Sequence, residues 1–187
     1  NLFFGGPKQV LKEFLRRTGG QKLPPKWSFG PWISSNSWNT QQEVIEQVEK
    51  LKELEIPATV LVVEAWSDEA TFYLINDAQY ALKPGSEAFS YRELRFNPDS
   101  KWPDFKGMID YIHENNLKFI LWQIPVLKYM GNEQNEQHER DIEYAISQGY
   151  CVKNKDGSPY RITDGWFGHS LLLDFTNPEA RAWWFSK

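Results

Sequence analysis

Apolar positions in this chain keep two rhythms, one helical and one strand-like, and they alternate. In the stretch from Pro7 to Gly20, Val10, Leu11, Phe14 and Leu15 form one apolar stripe. Pro7 opens it and Gly19-Gly20 close it, which predicts a helix. Pro24-Pro25 then break the chain, and WSFGPWI over 27–33 is a short aromatic strand candidate. Thr40 followed by Glu43 is a capping box, and Val44, Ile45, Val48, Leu51 and Leu54 keep helical spacing as far as Pro57. ATVLVVE, 58–64, has an unbroken apolar centre, as a parallel strand buried on both faces would.

Residues 65–101 make a long polar and aromatic excursion with turns at Pro84-Gly85 and Asn97-Pro98. WPDFKGMIDYIHENN then predicts a helix with Phe105, Met108, Ile109 and Ile112 inward, and LKFILWQIP, 117–125, a second buried strand. A further helix is expected over roughly 138–148, closed by Gly149. Asp156-Gly157 marks a hairpin, and Asn177 with Pro178 behind it marks a helix start.

Strand, helix, strand, helix is the rhythm of a parallel α/β fold. A nucleotide-binding open sheet needs a glycine-rich turn after its first strand. SSNSWN stands there instead. Long loops after the strands fit a (β/α)8 TIM barrel, which builds its site from such loops. A closed barrel takes about 250 residues. Three strands and the lead-in to a fourth are visible, so the fold expected is the first half of a barrel, incomplete in this chain.

Composition narrows the function. The 187 residues carry a formal net charge of -4, with no basic cluster among the aromatics, which argues against a nucleic-acid partner. No apolar run approaches 18 residues, so no membrane-spanning helix is expected. Cys151 is the one cysteine. That leans toward a reducing cytoplasm while leaving secretion open. The chain starts at Asn1 with no charged-then-apolar leader, so the natural start is expected upstream. Aromatics make up 16%, with nine Trp. Indole faces suit sugar C–H faces, and a core also consumes indoles.

The candidate chemistry sits at the strand ends. Glu64 closes a buried strand, where a carboxylate is costly unless it is paired or used. Trp66 follows it, and Trp122 lies near the end of the next strand. Glu64, Trp66 and Trp122 are therefore the candidate substrate-binding residues. Each has an ordinary alternative: a cross-strand salt bridge for Glu64, core packing for Trp122, loop packing for Trp66. Asp68 and Glu69 fit a solvated loop pair. Asp164 and Trp166 fit a structural loop that borders the mouth, and Asp174 fits turn and capping work. Glu64 with Asp68 or Glu69 makes a poor catalytic pair, because residues so close on one loop do not usually face each other across a substrate. His113, on a helix and expected to face solvent, His138 and His169 have no metal-ligand spacing. No metal or organic cofactor is implied.

Four pieces in order carry a resemblance: TGG with LPPKWSFGPW, IPATVLVVEAW, KFILWQIP, and DGWFGHSLLLDFTNPEARAWW. Together they resemble glycoside hydrolase family 31, the retaining α-glucosidase and α-xylosidase group. The resemblance implies that residues 1–26 lead from an upstream β-sandwich, and that 27–187 hold the first three βα units of the catalytic barrel. It implies exo-acting cleavage or transfer of α-linked glucosyl or xylosyl units through a glycosyl-enzyme. Nucleophile and acid/base would both be Asp, both beyond Lys187, supplied by the rest of the parent chain. Glu64 falls where the family has an Asp that holds sugar hydroxyls, and Trp122 where it has a wall of the cleavage subsite. Glu64 is one methylene longer than that Asp, and Gln123-Ile124 replace a short polar residue before Pro125. Both departures imply a shifted sugar, linkage or transfer balance. Two other functions fit the same residues: a non-catalytic carbohydrate-binding segment, and an α-glucan lyase.

Overall fold

The computed structural model describes residues 2–187. Helix α1 (Pro7–Thr18) ends at Gly19, whose φ of 92° lets its N–H reach the Leu15 carbonyl. The apolar stripe of α1 stays uncovered: none of its residues is buried, and Leu11 and Phe14 are exposed.

Three strands, β1 (Trp32–Ser35), β2 (Val60–Val63) and β3 (Lys118–Leu121), form one parallel sheet in the order β1-β2-β3. Helix α2 (Gln41–Glu53) connects the first two, and α3 (Phe105–Glu114) precedes the third. The predicted capping box forms: Thr40 Oγ1 accepts from the Glu43 N–H at 3.2 Å, and Glu43 Oε2 accepts from the Thr40 N–H at 3.1 Å. The aromatic segment expected as a strand over 27–33 divides instead. Lys26–Phe29 is one 3-10 turn, held by the Ser28 N–H and hydroxyl on the Pro25 carbonyl. The strand starts only after Gly30-Pro31. Gly30 lies so close to Thr59 that an added Cβ would sit 2.2 Å from its methyl, so the entries of β1 and β2 touch there.

One face of the sheet packs on the helices. Ile33, Leu61, Val63, Phe119 and Leu121 meet Val44 and Val48 of α2, and Phe105, Met108 and Ile112 of α3. Fully burying such side chains is worth roughly 1.5–3 kcal/mol each. Leu54, placed on the α2 stripe by spacing, lies at the helix end and is exposed. The other face carries Ser34, Val62 and Ile120 and is only partly covered. Burial on both faces, expected from the apolar run, is met at Val60 but not at Val62, because helices cover one side alone. This is an open section of a barrel wall.

A second core lies beyond β3. The short strands β4 (Val126–Leu127) and β5 (Leu171–Leu172) pair antiparallel, flanked by α4 (Glu136–Ser147) and α5 (Pro178–Ser186). The SLLLDF segment therefore adds no strand to the parallel sheet; it folds back on β4 and enters α5. The predicted hairpin is present, with Gly157 at φ 87° and Asn154 bonded to Ser158. A buried ion pair joins α4 to the end of α5, and the excursion after β2 is tied to it through the Tyr73 hydroxyl and the Glu87 carbonyl. Lys187 Nζ lies 2.9 Å from Asp141 Oδ1, and both side chains are 1% exposed. The Tyr73 hydroxyl and the Gln137 amide also donate to Asp141.

Candidate active site

Register decides what the strands deliver. Ser35, Val63 and Leu121 stand side by side, and the next residues along are Asn36, Glu64 and Trp122. The Trp122 N–H bonds the Val63 carbonyl at 3.0 Å, so pairing continues to that level. Asn36, Glu64 and Trp122 line one cavity of about 520 Å³ at the C-terminal end of the sheet, together with Glu69, Phe72 and Trp166. That size is ordinary for a small-ligand site.

Glu64 is half-buried, and its Oε1 accepts a hydrogen bond from Ser34 Oγ on the neighbouring strand at 2.5 Å. Among the described residues no cation pairs with it. The cross-strand salt bridge is thus absent, and the second carboxylate oxygen has no partner among the described residues. A held, uncompensated carboxylate is a good acceptor for hydroxyl groups.

Trp122 is half-buried and stacks on Trp166, with centroids 5.7 Å apart and planes at 24°. Phe72 stands edge-on to both rings, 5.7 Å from Trp122 and 6.4 Å from Trp166. Its backbone is left-handed, φ 58°. The turn before it is fixed by Asp68, which accepts from the Ala70 and Thr71 N–H groups at 2.8 Å. Lys128 Nζ sits 5.7 Å from the Phe72 ring, 5.8 Å from Trp166, and 2.8 Å from Glu69. Of the expected solvated pair, Glu69 is solvent-exposed as expected, whereas Asp68 is half-buried. Asp68 builds a turn and Glu69 holds a lysine against the aromatic wall.

Trp66 goes elsewhere. It is 7% exposed, packs in the main core beside Phe105, and does not line the cavity. Its indole N–H donates to the Trp122 carbonyl at 2.7 Å, so it braces the backbone that carries Trp122. A buried indole needs such a partner. The structure shows core packing and a backbone brace for this residue, outside the cavity wall.

Trp166 is the cavity residue that spacing could not place. It is 61% exposed, on a loop distant in sequence from Glu64. The sequence put Trp166 on a loop bordering the mouth but favoured a structural role, and its place in the cavity wall corrects that reading. Asp164, on the same loop, is exposed and outside the cavity. Asp174 does turn work: its Oδ1 accepts from the Thr176 hydroxyl at 2.6 Å and N–H at 3.0 Å, which hold its carboxyl below the usual range. Cys151 is buried, and burial pushes its thiol up to about 11, away from nucleophilic use. His113 is exposed on α3, His138 is buried on α4, and His169 lies against Tyr129. Among the described residues no three His, Cys, Asp or Glu side chains converge on a metal position.

Strand polarity fixes the class. Parallel strands with helices outside and a ligand-sized cavity at their C-terminal ends are the working face of a (β/α)8-barrel enzyme, here in partial form. Residues 21–187 match the glycosyl hydrolases family 31 TIM-barrel domain, and the chain belongs to that family. It is 43% identical over 181 residues to an isomaltosyltransferase of Sporosarcina globispora, covering 96% of this chain and 16% of that one. A 1,3-alpha-isomaltosidase of Kribbella flavida is 37% identical over 186 residues, covering 100% and 25%. The solved cycloalternan-forming enzyme of Listeria monocytogenes, in complex with a pentasaccharide substrate, superposes with a TM-score of 0.89 at 45% identity, covering 95% and 16%. The chain thus spans between 16% and 25% of the length of these relatives.

Proposed function

We propose that this chain is part of a retaining, exo-acting α-glycosidase or α-transglycosylase, and that Glu64, Trp122 and Trp166 hold the α-linked glucosyl unit at its mouth. The observation that carries this reading is the convergence of an uncompensated carboxylate and two stacked indoles in one cavity at the strand ends. The carboxylate accepts from sugar hydroxyls, and the indole faces cover C–H faces. Trp66 acts through the Trp122 backbone and touches no substrate. The relatives' names favour isomaltosyl units as the substrate class. The nucleophile and the acid/base come from outside this chain: of the two glutamates at the mouth, Glu69 is already engaged by Lys128. The uncovered stripe of α1 fits a surface that meets a preceding domain.

The test is to assay the full-length protein on isomaltose and on α-1,3-linked isomaltosyl oligosaccharides, with NMR of the first-formed product. An α-anomeric sugar, or a transfer product that keeps the α-linkage, is expected. A β-anomer first would remove the retaining mechanism, an unsaturated or anhydro product would mean a lyase, and no turnover would leave a binding segment.

A further inference from the structure

A second cavity, of about 480 Å³, lies between the β4–β5 pair and the start of α4. No residue lines both it and the mouth. Its wall includes Tyr129, Glu133, His138, Glu139, Arg161 and His169. Lys128 separates the two spaces: its ammonium turns to Glu69 at the mouth, while its carbonyl bonds His138 Nε2 at 2.7 Å on the other side.

Its chemistry is selective. Two carboxylates, Glu133 and Glu139, line the cavity with one guanidinium, Arg161, so an anion is disfavoured. No three-ligand set for a metal exists there among the described residues, so a divalent cation is disfavoured too. Tyr129 is 53% exposed and has the His169 ring edge-on at 5.5 Å, a fixed flat platform. Arg161 is itself held by the His169 carbonyl at 2.7 Å. His138 is 1% exposed, and its Nδ1 has no partner, so this wall is one hydrogen bond short. Acceptors, a donor and an aromatic face around a pocket of this size suit a neutral ring that carries several hydroxyls.

We infer that this cavity is an accessory carbohydrate site, taking a glucosyl unit of an α-glucan held outside the mouth. The sugar class rests on the proposed function; the site itself rests on the cavity. The test is calorimetric titration of the full-length protein with thio-linked isomaltose, whose sulfur bridge resists hydrolysis. Two sites per chain are expected, with Tyr129→Ala and Arg161→Ala each weakening one of them about tenfold or more. A single site that survives both substitutions but is lost in Trp122→Ala would overturn the accessory site and leave the mouth intact. No binding at all would overturn both readings. Two sites unchanged in either variant would place the second one elsewhere and overturn the assignment.

Discussion

Trp122, at the end of a barrel strand, lies stacked on Trp166, from a loop that follows a helix and a hairpin, with 5.7 Å between ring centroids. The pair gives the mouth a wall two indoles wide, with Phe72 wedged edge-on behind it. Trp166→Ala removes the outer indole and leaves Trp122 on its strand. In the full-length protein KM for isomaltosyl substrates should rise about tenfold with a smaller change in kcat, equivalent to about 1.4 kcal/mol of binding shared by ground and transition states. Steady-state kinetics decide this, and an unchanged KM would remove Trp166 from the substrate wall.

Ser34 holds Glu64 from the adjacent strand. A hydrogen bond to a charged group is worth about 1.5–3 kcal/mol. Glu64→Gln should therefore lower kcat/KM about 10- to 100-fold, if the contact tightens in the transition state. Ser34→Ala, which keeps the carboxylate and frees its orientation, should cost less than Glu64→Gln. The reverse order in kcat/KM would mean that the pair is structural.

The Asp141–Lys187 pair is nearly solvent-free. Lys187→Met strands a buried carboxylate with only Tyr73 and Gln137 as donors, and should cost about 3–5 kcal/mol in denaturant unfolding. Replacing both residues, Asp141→Leu with Lys187→Met, should recover part of that loss. A double variant less stable than Lys187→Met alone would show that the charge on Asp141 is not the problem.

His138 gives a pH signature. Burial lowers its pKa from the ordinary value of 6.5, against the Lys128 carbonyl, Asp141, Asp68 and Glu139, which all favour the cation. Below pH 6.5 the unfolded chain takes up this proton before the folded one, so stability should fall on acidification through that range. His138→Gln should flatten this part of the profile, measured as Tm against pH from 7.5 to 5. An equal slope in the variant would assign the effect to other groups.

Produced alone, residues 1–187 should unfold broadly and self-associate. The outer edges of β1 and β3 are unpaired within the sheet, and Trp27, Phe29 and Trp32 are exposed together. Calorimetry and size-exclusion chromatography at two concentrations test this; a sharp, reversible, monomeric transition would refute it.

The locally coded parts were legible. The box of Thr40 with Glu43, the Asn177 cap that takes the Glu179 and Ala180 N–H groups, and the Asp156-Gly157 turn are short-range hydrogen-bond devices, and each formed where its residues stand. The apolar runs of β2 and β3 marked both strands, and their alignment put Glu64 beside Trp122. The first strand was misplaced because Pro25 and Ser28 close a 3-10 turn that aromatic content does not reveal.

The sequence by itself thus determined the main helices, the parallel order of the sheet and the strand that delivers Glu64, because periodicity, caps and turn residues act over a few positions. The start of β1 and the antiparallel β4–β5 pair were decided by the fold. Only the tertiary structure decided which aromatics share the mouth. Trp66, two residues from Glu64, turns into the core, and Trp166, far along the chain, turns in beside it. Which face an indole presents depends on how two long loops pack on each other, around Phe72 and Lys128, and no local pattern encodes that contact.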